Sequence, residues 1–205
     1  MKKGTVLKLA GSAAVGVAAV GAYRTFVKPW QRQWGATAEE VAQAMPGDEI
    51  VENPVLNATR AITIQAKPAE VWPWLMQMGY GRAGFYSYDF VDNSRRHSAE
   101  RIIPELQFLK VGDAIPTSPN QGFIVEKIEP ERLLVMTMRG EKNILSVTAM
   151  LNALEDGNTR LILRLRLSYR WGVRRSLYFQ IFEPGDFVMM RKMMLGIKRR
   201  AEAFH

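Results

Sequence analysis

The sequence predicts an α+β domain in which a series of antiparallel strands precedes a long C-terminal helix. Residues 111–169 contain five strand-like stretches separated by turn residues. Residues 187–204 carry apolar side chains at spacings of three and four, the pattern of a helix that buries one face. The 205 residues, 47% of them apolar and 23% charged, suffice for one folded domain and an appendage.

The composition excludes several classes of site. The chain has no cysteine and only two histidines, His97 and His205. Disulfide scaffolds, thiol nucleophiles, cysteine-ligated zinc and sites built from several imidazoles are therefore excluded. The carboxyl groups are scattered along the sequence. We therefore predict neither a paired-carboxylate hydrolase nor a metal site, and no cofactor.

The first 34 residues predict an N-terminal membrane anchor or signal segment. They carry six basic residues and no acidic one, and residues 9–23 contain no charge. A helix needs ~20 residues to span a bilayer, and residues 5–27 are long enough to span it nearly completely. Basic residues flank both ends of the stretch, so the side of the membrane is not predicted.

A single-pass, uncleaved anchor is favoured over a cleaved signal peptide. Val20-Gly21-Ala22 loosely fits a cleavage site. Aromatic residues follow the stretch in the manner of an interfacial belt, however, and they are Tyr23, Phe26, Trp30 and Trp34. The expected location is therefore the membrane.

The next segments predict a linker, a strand and a helix. Residues 35–58 are interpreted as a linker with one short helix, because they contain turn signals such as Pro46-Gly47. Residues 59–66 alternate apolar and polar side chains, which predicts a strand. Residues 68–78 predict a helix with a proline in its first turn, where the missing N–H costs nothing.

Residues 85–106 are predicted to form short helices and loop, and an antiparallel meander follows them. The five strands predicted for the meander are residues 113–116, 122–128, 133–138, 144–154 and 159–169. Asp156-Gly157-Asn158 marks the last hairpin. The final helix is predicted over residues 187–204, with Glu183-Pro184-Gly185-Asp186 as the turn before it.

Several stretches carry a family resemblance. They are residues 34–37 (WGAT), 58–64 (ATRAITI), 69–75 (AEVWPWL), 77–82 (QMGYGR), 86–89 (YSYD), 104–107 (PELQ), 109–113 (LKVGD) and 183–186 (EPGD). Together they resemble the SRPBCC superfamily, the START-like or Bet v 1-like proteins that include polyketide cyclases/dehydrases and lipid-transport proteins. The likeness is to a membrane-tethered subgroup, and it covers about residues 34–205.

The resemblance implies a helix-grip fold for the START-like ligand-binding domain, residues 59–205. In this fold a curved antiparallel sheet wraps around a long C-terminal helix and leaves an apolar cavity between them. The superfamily contains carriers, sensors and cyclases. No catalytic motif is carried over to this sequence.

A ligand in that cavity would contact the side chains that face it. The candidate ligand-binding residues are apolar or aromatic, with one arginine: Trp72, Trp74, Arg82, Phe85, Tyr86, Met136, Met138, Met150, Leu163, Leu165, Met190 and Met194. Methionine adapts to irregular apolar shapes, although ordinary core packing explains these methionines equally well. Arg82 is expected to meet an acidic headgroup at the cavity mouth.

These features favour membrane-tethered binding or transfer of a hydrophobic small molecule, lipid-like or aromatic, without catalysis. The alternative is a cyclase or dehydratase that acts on a hydrophobic substrate in the same cavity. It would use His97, Asp92, Tyr86 or Arg82, since an imidazole titrates near neutrality. A solvated surface loop is the favoured interpretation of the polar cluster around His97.

Gly79, Gly81 and Gly84 form a G-x-G-x-x-G pattern. This pattern binds dinucleotides only where it follows a strand and opens a helix. Here it follows a predicted helix and precedes the meander, so nucleotide binding is not predicted.

Four arginines line the polar side of the last predicted strand: Arg160, Arg164, Arg166 and Arg170. Residues 160–205 carry a net charge of +8, whereas residues 35–159 carry −6. We expect this exposed arginine face, together with the basic C-terminal helix, to help hold the tethered domain against an anionic membrane surface; the alternative is that the arginines only keep the sheet soluble. Nucleic-acid binding is not predicted, because no aromatic residue alternates with the arginines as a stacking platform.

Overall fold

The computed structural model of the protein describes residue 18, residues 20–169 and residues 173–203, without the side chains of residues 173–181. One antiparallel sheet dominates this part of the chain, with the strand order β1-β6-β5-β4-β3-β2. The strands are β1 (Leu56–Ile64), β2 (Ala114–Ser118), β3 (Gln121–Glu129), β4 (Leu133–Arg139), β5 (Asn143–Ala153) and β6 (Thr159–Tyr169). The predicted strand and meander are thereby confirmed, with ends shifted by a few residues.

The hairpin between β5 and β6 is the most regular part of the sheet. Its register runs from Asn143 opposite Tyr169 to Ala153 opposite Thr159. Gly157 adopts a φ of +81° in the turn, a conformation that favours glycine. The first strand then pairs with the last one, so β1 lies beside β6 and completes the sheet.

Short helices precede β1 and lie between β1 and β2. The N-terminal helical segment consists of a π-helical stretch (Tyr23–Val27) and helix α1 (Lys28–Arg32). Helix α2 (Ala38–Ala42), a 3₁₀ turn (Asp48–Val51), helix α3 (Pro68–Met76), helix α4 (Asp89–Asp92) and a second 3₁₀ turn (Pro104–Leu106) follow. Helix α3 confirms the predicted helix, which ends two residues earlier than expected.

The C-terminal helix, α5 (Val173–Glu202), begins well before residue 187. The prediction of a turn at residues 183–186 was wrong, because Pro184 lies inside the helix. The carboxylates of Glu183 and Asp186 bind basic side chains of α1 and β1. These tertiary contacts outweigh the local turn signal, since helix stability in proteins comes mostly from packing.

The inner face of the sheet packs against α5. Residues that alternate along β1, β4, β5 and β6 share one continuous apolar cluster with Met190, Met194, Ile197 and Ala201 of the helix. Trp74 of α3 is also part of this cluster and is fully buried. The loop of residues 79–103 closes the same side. The core of the domain therefore lies between the sheet, α3, α5 and this loop.

A second layer covers the outer face of the sheet. Residues 34–52, most of which were interpreted as a linker, cross this face, and Met45 packs against Ala61 and Ile162. Helix α2, the short helix predicted within them, starts with a capping box formed by Thr37 and Glu40. We call residues 34–52 the outer cover.

The predicted membrane anchor falls largely on residues outside the described part of the chain, which begins at residue 18. None of the helices within the described residues is both long enough and apolar enough to span a bilayer. The membrane anchor stays a prediction.

Candidate functional site

The candidate site is centred on Arg60, whose side chain lies on the inner face of β1. Strand alternation places it in line with Leu56, Ala58, Ile62 and Ile64. Its side chain is 0% exposed. Sequence reasoning missed this residue, although an arginine in phase with four apolar residues of a strand is a visible signal. A charged residue is rarely buried completely unless it is paired.

The guanidinium of Arg60 is only partly satisfied. Its Nε donates to the carbonyl of Gln31 at 2.9 Å, and its Nη1 donates to Oδ2 of Asp186 at 2.7 Å and to the sulfur of Met190 at 3.0 Å. Its carbon Cζ lies 5.4 Å from the centre of the Phe187 ring. Nη2 is buried and has no hydrogen-bond partner among the described residues.

Two acids of α5 connect this site to the N-terminal helical segment. Burial raises the pKa of Asp186, and the neighbouring Arg60 opposes that rise without cancelling it. Burial also acts to raise the pKa of Glu183, but hydrogen bonds from Arg32 and Lys28 outweigh it, so the pKa is lowered. Glu183 is therefore a firmly ionised anchor for α1, whereas Asp186 takes up a proton more readily than an ordinary aspartate.

Most of the predicted ligand-binding residues do meet on the inner side. Those in or against the inner cluster are Trp72, Trp74, Phe85, Tyr86, Met136, Leu163, Leu165, Met190 and Met194. Met138 shares the strand face of Met136 and is half-buried. A side chain that lines an open cavity keeps surface that water can reach, yet Trp74 and Met194 are each 0% exposed. Ligand contact by these residues stays a prediction.

Two of the predicted ligand-binding residues, Met150 and Arg82, make other contacts. Met150 lies on the outer face with Met45 and Ile162, because its place in β5 alternates with the inward residues. This corrects the expectation that it faces the cavity. Arg82 donates to the carbonyls of Met76 and Met78 at 2.9 Å each and to that of Leu106 at 3.2 Å. It braces a loop.

The surroundings of Arg82 do not suit an acidic headgroup. Arg82 borders a pocket of about 290 Å³ that Glu105 and Asp113 also line. Burial lowers the pKa of Arg82, and the nearby Asp113 opposes this effect. The carboxylates in the pocket would repel an anion.

The groups named for an enzyme do not converge on one point. The side chain of His97 is 98% exposed, and its Nδ1 lies 3.7 Å from Asp89. The Tyr86 hydroxyl donates to the carbonyl of Trp74 at 3.0 Å, and burial raises the pKa of Tyr86. Asp92 lies in α4, where burial, reinforced by the negative Asp89, raises its pKa to about 6.

The glycines of the G-x-G-x-x-G pattern shape a turn after α3. Gly79, Gly81 and Gly84 all have positive φ values, and Gly79 and Gly84 form an isolated β-bridge with each other. No helix starts directly after them. The positive φ values at these three positions explain why glycine occupies them.

The expectation of an exposed arginine face was wrong for the three arginines that the structure describes. Arg164 is 2% exposed and donates to Asp48, Thr59 and three carbonyls of the outer cover. Arg160 binds Glu40, and the hydrogen bond from Arg160 is the main cause that lowers the pKa of this glutamate. Arg166 donates to the carbonyls of residues 51 and 52. Arg170 lies outside the described residues.

Metal chemistry has no visible ligand set in the part of the chain that the structure describes. Within these ranges, no group of three or more acidic or histidine side chains is arranged to hold a metal ion. The cluster of Asp89, Asp92 and His97 does not form such a group.

Comparison with known proteins gives similarity at the level of solved structures. No protein-family model and no curated protein matches the sequence. A protein from Mesorhizobium loti is 15% identical, with a TM-score of 0.46 over 73% of this chain and 99% of its own. A Nitrosospira multiformis protein is 8% identical, with a TM-score of 0.47 over 73% of this chain and 100% of its own.

The Polyketide_cyc-like protein of Corynebacterium glutamicum is 13% identical, with a TM-score of 0.46 over 72% of this chain and 92% of its own. At these TM-scores the likenesses carry no conclusion about function. The architecture itself is plain from the six-stranded antiparallel sheet and the 30-residue helix α5. The chain has the α+β, helix-grip fold that its sequence predicts.

Proposed function

We propose that this protein binds a hydrophobic small molecule with an acidic head, of the kind that partitions into bilayers, and that it carries or presents this molecule without transforming it. The apolar part would lie between the sheet and α5, and the acidic head would bind Arg60. The observation that carries the proposal is the buried Nη2 of Arg60, which has no partner among the described residues.

An unsatisfied buried donor is costly, at about 1–3 kcal/mol and more for a charged group. A ligand carboxylate or phosphate oxygen at Nη2 would remove that cost and add a charge-assisted hydrogen bond. Asp186 already faces the same guanidinium, and its pKa is raised by burial. Protonation of Asp186 would therefore let Arg60 pair with the incoming anion instead.

The surroundings of Arg60 favour an adaptable apolar partner. Met190 and Phe187 contact the guanidinium from α5, and Met194 lies one turn further along the same side. Thioethers repack around irregular shapes at low cost. Because the described side chains here are closely packed, ligand entry requires α5 or the N-terminal helical segment to move away from the sheet.

The membrane tether is part of the same proposal. The described part of the predicted anchor exposes apolar side chains, with Val20 at 55%, Phe26 at 73% and Trp30 at 54%. Aromatic side chains prefer the level of the lipid headgroups. A tether would keep the domain beside a ligand that is dissolved in the bilayer.

Two measurements test the function. Native mass spectrometry and lipid extraction of protein purified without detergent should reveal a bound amphiphile. In binding assays, palmitic acid should bind at least about tenfold more tightly than hexadecanol, since only the acid pairs with Arg60. Absence of any bound molecule, together with equal affinities for acid and alcohol, would contradict the proposal.

The matched control removes the charge pair as a unit. The double variant Arg60→Met, Asp186→Leu leaves no lone buried charge, and such replacements are often neutral or stabilising. It should fold normally and lose the preference for the acid while it retains the apolar surface. A double variant that still preferred palmitic acid would exclude Arg60 as the head-binding group.

A further inference from the structure

A separate pocket borders the N-terminal helical segment. It has a volume of about 290 Å³ and lies between that segment and β1, beside the outer cover. Its polar lining consists of Arg24, Lys28, Arg32, Gln33, Asn57 and Thr59. No acidic residue lines it. The pocket is distinct from the interior site at Arg60, and its existence does not depend on the proposed function.

The charges around this pocket are unbalanced. Arg24, Lys28 and Arg32 follow one another at intervals of four residues, so they project from one side of the helical segment. Lys28 and Arg32 share a single carboxylate, that of Glu183. Arg24 has no hydrogen-bond or ion-pair partner among the described residues. Three cations therefore meet one anion, which leaves an excess of two positive charges.

The neutral groups of the pocket add donors. Thr59 accepts a hydrogen bond from Nε of Arg164 at 2.9 Å, which leaves its own hydroxyl proton available for donation. Asn57 is exposed, and its amide can donate into the same space. A pocket that combines cations, an amide and a hydroxyl, without a carboxylate in its wall, has the chemistry of an anion site.

We infer that this pocket binds a phosphate group. A phosphate monoester carries up to two negative charges at neutral pH, which matches the local excess, and its three terminal oxygens accept several hydrogen bonds at once. The group belongs either to the head of an anionic lipid or to free phosphate. Both sources present the same atoms to Arg24.

The test uses the full chain in phosphatidylcholine nanodiscs and follows phosphorus-31 resonances. One sample receives inorganic phosphate. In the other sample, about a tenth of the phosphatidylcholine is replaced with phosphatidic acid. Broadening of the phosphatidic acid resonance alone identifies a lipid headgroup, whereas broadening of the inorganic phosphate resonance identifies free phosphate. Either result supports a phosphate site.

Variants attribute the binding to the pocket. Arg24→Ala should weaken phosphate binding about tenfold, because it removes one charge-assisted contact. Arg24→Lys keeps the charge and should retain most of the affinity. The matched control is Arg96→Ala, which removes an exposed arginine from the loop of residues 79–103 and should change nothing.

Thermal unfolding shows whether the variants are folded, and Arg24 is exposed and has no ion-pair partner among the described residues, so all three should unfold like the wild type. No response of either phosphorus resonance in the wild type would overturn the inference. An equal loss of binding in the Arg24→Ala and Arg96→Ala variants would overturn it as well, because it would assign the effect to general charge. These readouts do not involve palmitic acid or Arg60, so the two proposals fail independently.

Discussion

The two faces of the sheet each bury an arginine, and the two residues differ in how completely they are satisfied. On the outer face, all three nitrogens of Arg164 donate hydrogen bonds, to five acceptors in total. On the inner face, Arg60 uses two nitrogens, and its Nη2 has no partner among the described residues. Both side chains are almost completely buried.

The two arginines therefore differ in role: Arg164 is structural, whereas Arg60 is the candidate ligand-binding residue. The acceptors of Arg164 come almost entirely from the outer cover, so its role is to fasten residues 34–52 to the sheet. The surroundings of Arg60 are apolar except for Asp186 and a carbonyl of α1. A ligand that supplies an acceptor to a buried donor without a partner removes the cost of that donor and so gains affinity.

The largest expected effect is on the outer face. Arg164→Ala would leave three backbone carbonyls without their donor and would remove one of the two arginines that pair with Asp48. We expect the free energy of unfolding to fall by about 3–5 kcal/mol, because each buried carbonyl left without a donor costs about 1–3 kcal/mol. Urea denaturation measures the change, and protease cleavage within residues 34–52 should become faster.

Arg132→Ala is the control for that variant, since Arg132 lies in the turn between β3 and β4 and its side chain is 69% exposed. Its ion pair with Glu129 is solvated, so its loss should change the free energy of unfolding little. If Arg164→Ala behaved like Arg132→Ala, the outer cover would not depend on Arg164.

The inner face should respond differently to loss of one charge and loss of both. Arg60→Met alone should cost about 3 kcal/mol at pH 7, because it leaves Asp186 buried without its partner. The double variant Arg60→Met, Asp186→Leu should return to within about 1 kcal/mol of the wild type. Urea denaturation of the three proteins makes the comparison.

A double variant as unstable as the single one would show that the pair is needed for folding. The two faces would then not differ in the role of their buried arginine, since both arginines would be structural. Recovery in the double variant would leave ligand binding as the reason for the charges.

The sequence predicts the elements better than it predicts what covers them. Alternation of leucine with arginine from residue 159 to residue 169 suffices to predict β6 and its two faces. It does not reveal that residues 34–52 fold over the arginine side, since this depends on contacts more than 100 residues apart, such as Arg164 with Asp48. The exposed arginine face was predicted wrongly for that reason.

The same limit explains the missed site and the misplaced start of α5. Arg60 and Asp186 are 126 residues apart, so the sequence does not show that they pair, although the position of Arg60 among apolar residues of β1 is a visible signal. Pro184 and Gly185 are local turn signals that the sequence alone gives no reason to override. The contacts of Glu183 and Asp186 with α1 and β1 are the reason they are overridden.

A third test concerns how closely the loop of residues 79–103 approaches α5. A Cβ added at Gly196 would lie 2.2 Å from the carbonyl oxygen of Tyr86. Gly196→Ala should therefore lower the free energy of unfolding by about 2 kcal/mol, within the range for overpacking a core. Gly185→Ala in the same helix meets nothing within 4 Å and should be stabilising by about 0.8–1 kcal/mol.

Both glycines lie in α5 and differ in their surroundings. Comparing the thermal unfolding of the two variants therefore isolates the effect of the close approach between Gly196 and Tyr86. Equal shifts in Tm would mean that the loop is free to move away from α5. The inner side would then be more open than the outer cover, whose Gly35 approaches the carbonyl of Ala61 just as closely.

A small effect is expected at Asp92 of α4, whose Oδ1 is buried without a partner among the described residues. Its pKa is raised from 3.8 to about 6 in the folded protein by burial and then by Asp89. The folded state therefore binds more protons than the unfolded state between these two pH values. The resulting stability is fully present below pH 3.8 and is lost as the pH rises through about 6.

At pH 7 the ionised Asp92 thus destabilises the fold, by about 1 kcal/mol once the shift is discounted for solvent screening of a half-exposed carboxyl. Asp92→Asn should raise the free energy of unfolding by that amount at pH 7, and its advantage should vanish below pH 4. Urea denaturation at the two pH values measures both numbers. An equal gain at both would assign the effect to the amide's hydrogen bonds and not to ionisation, and Asp92 would then not be a second buried charge that lacks a partner.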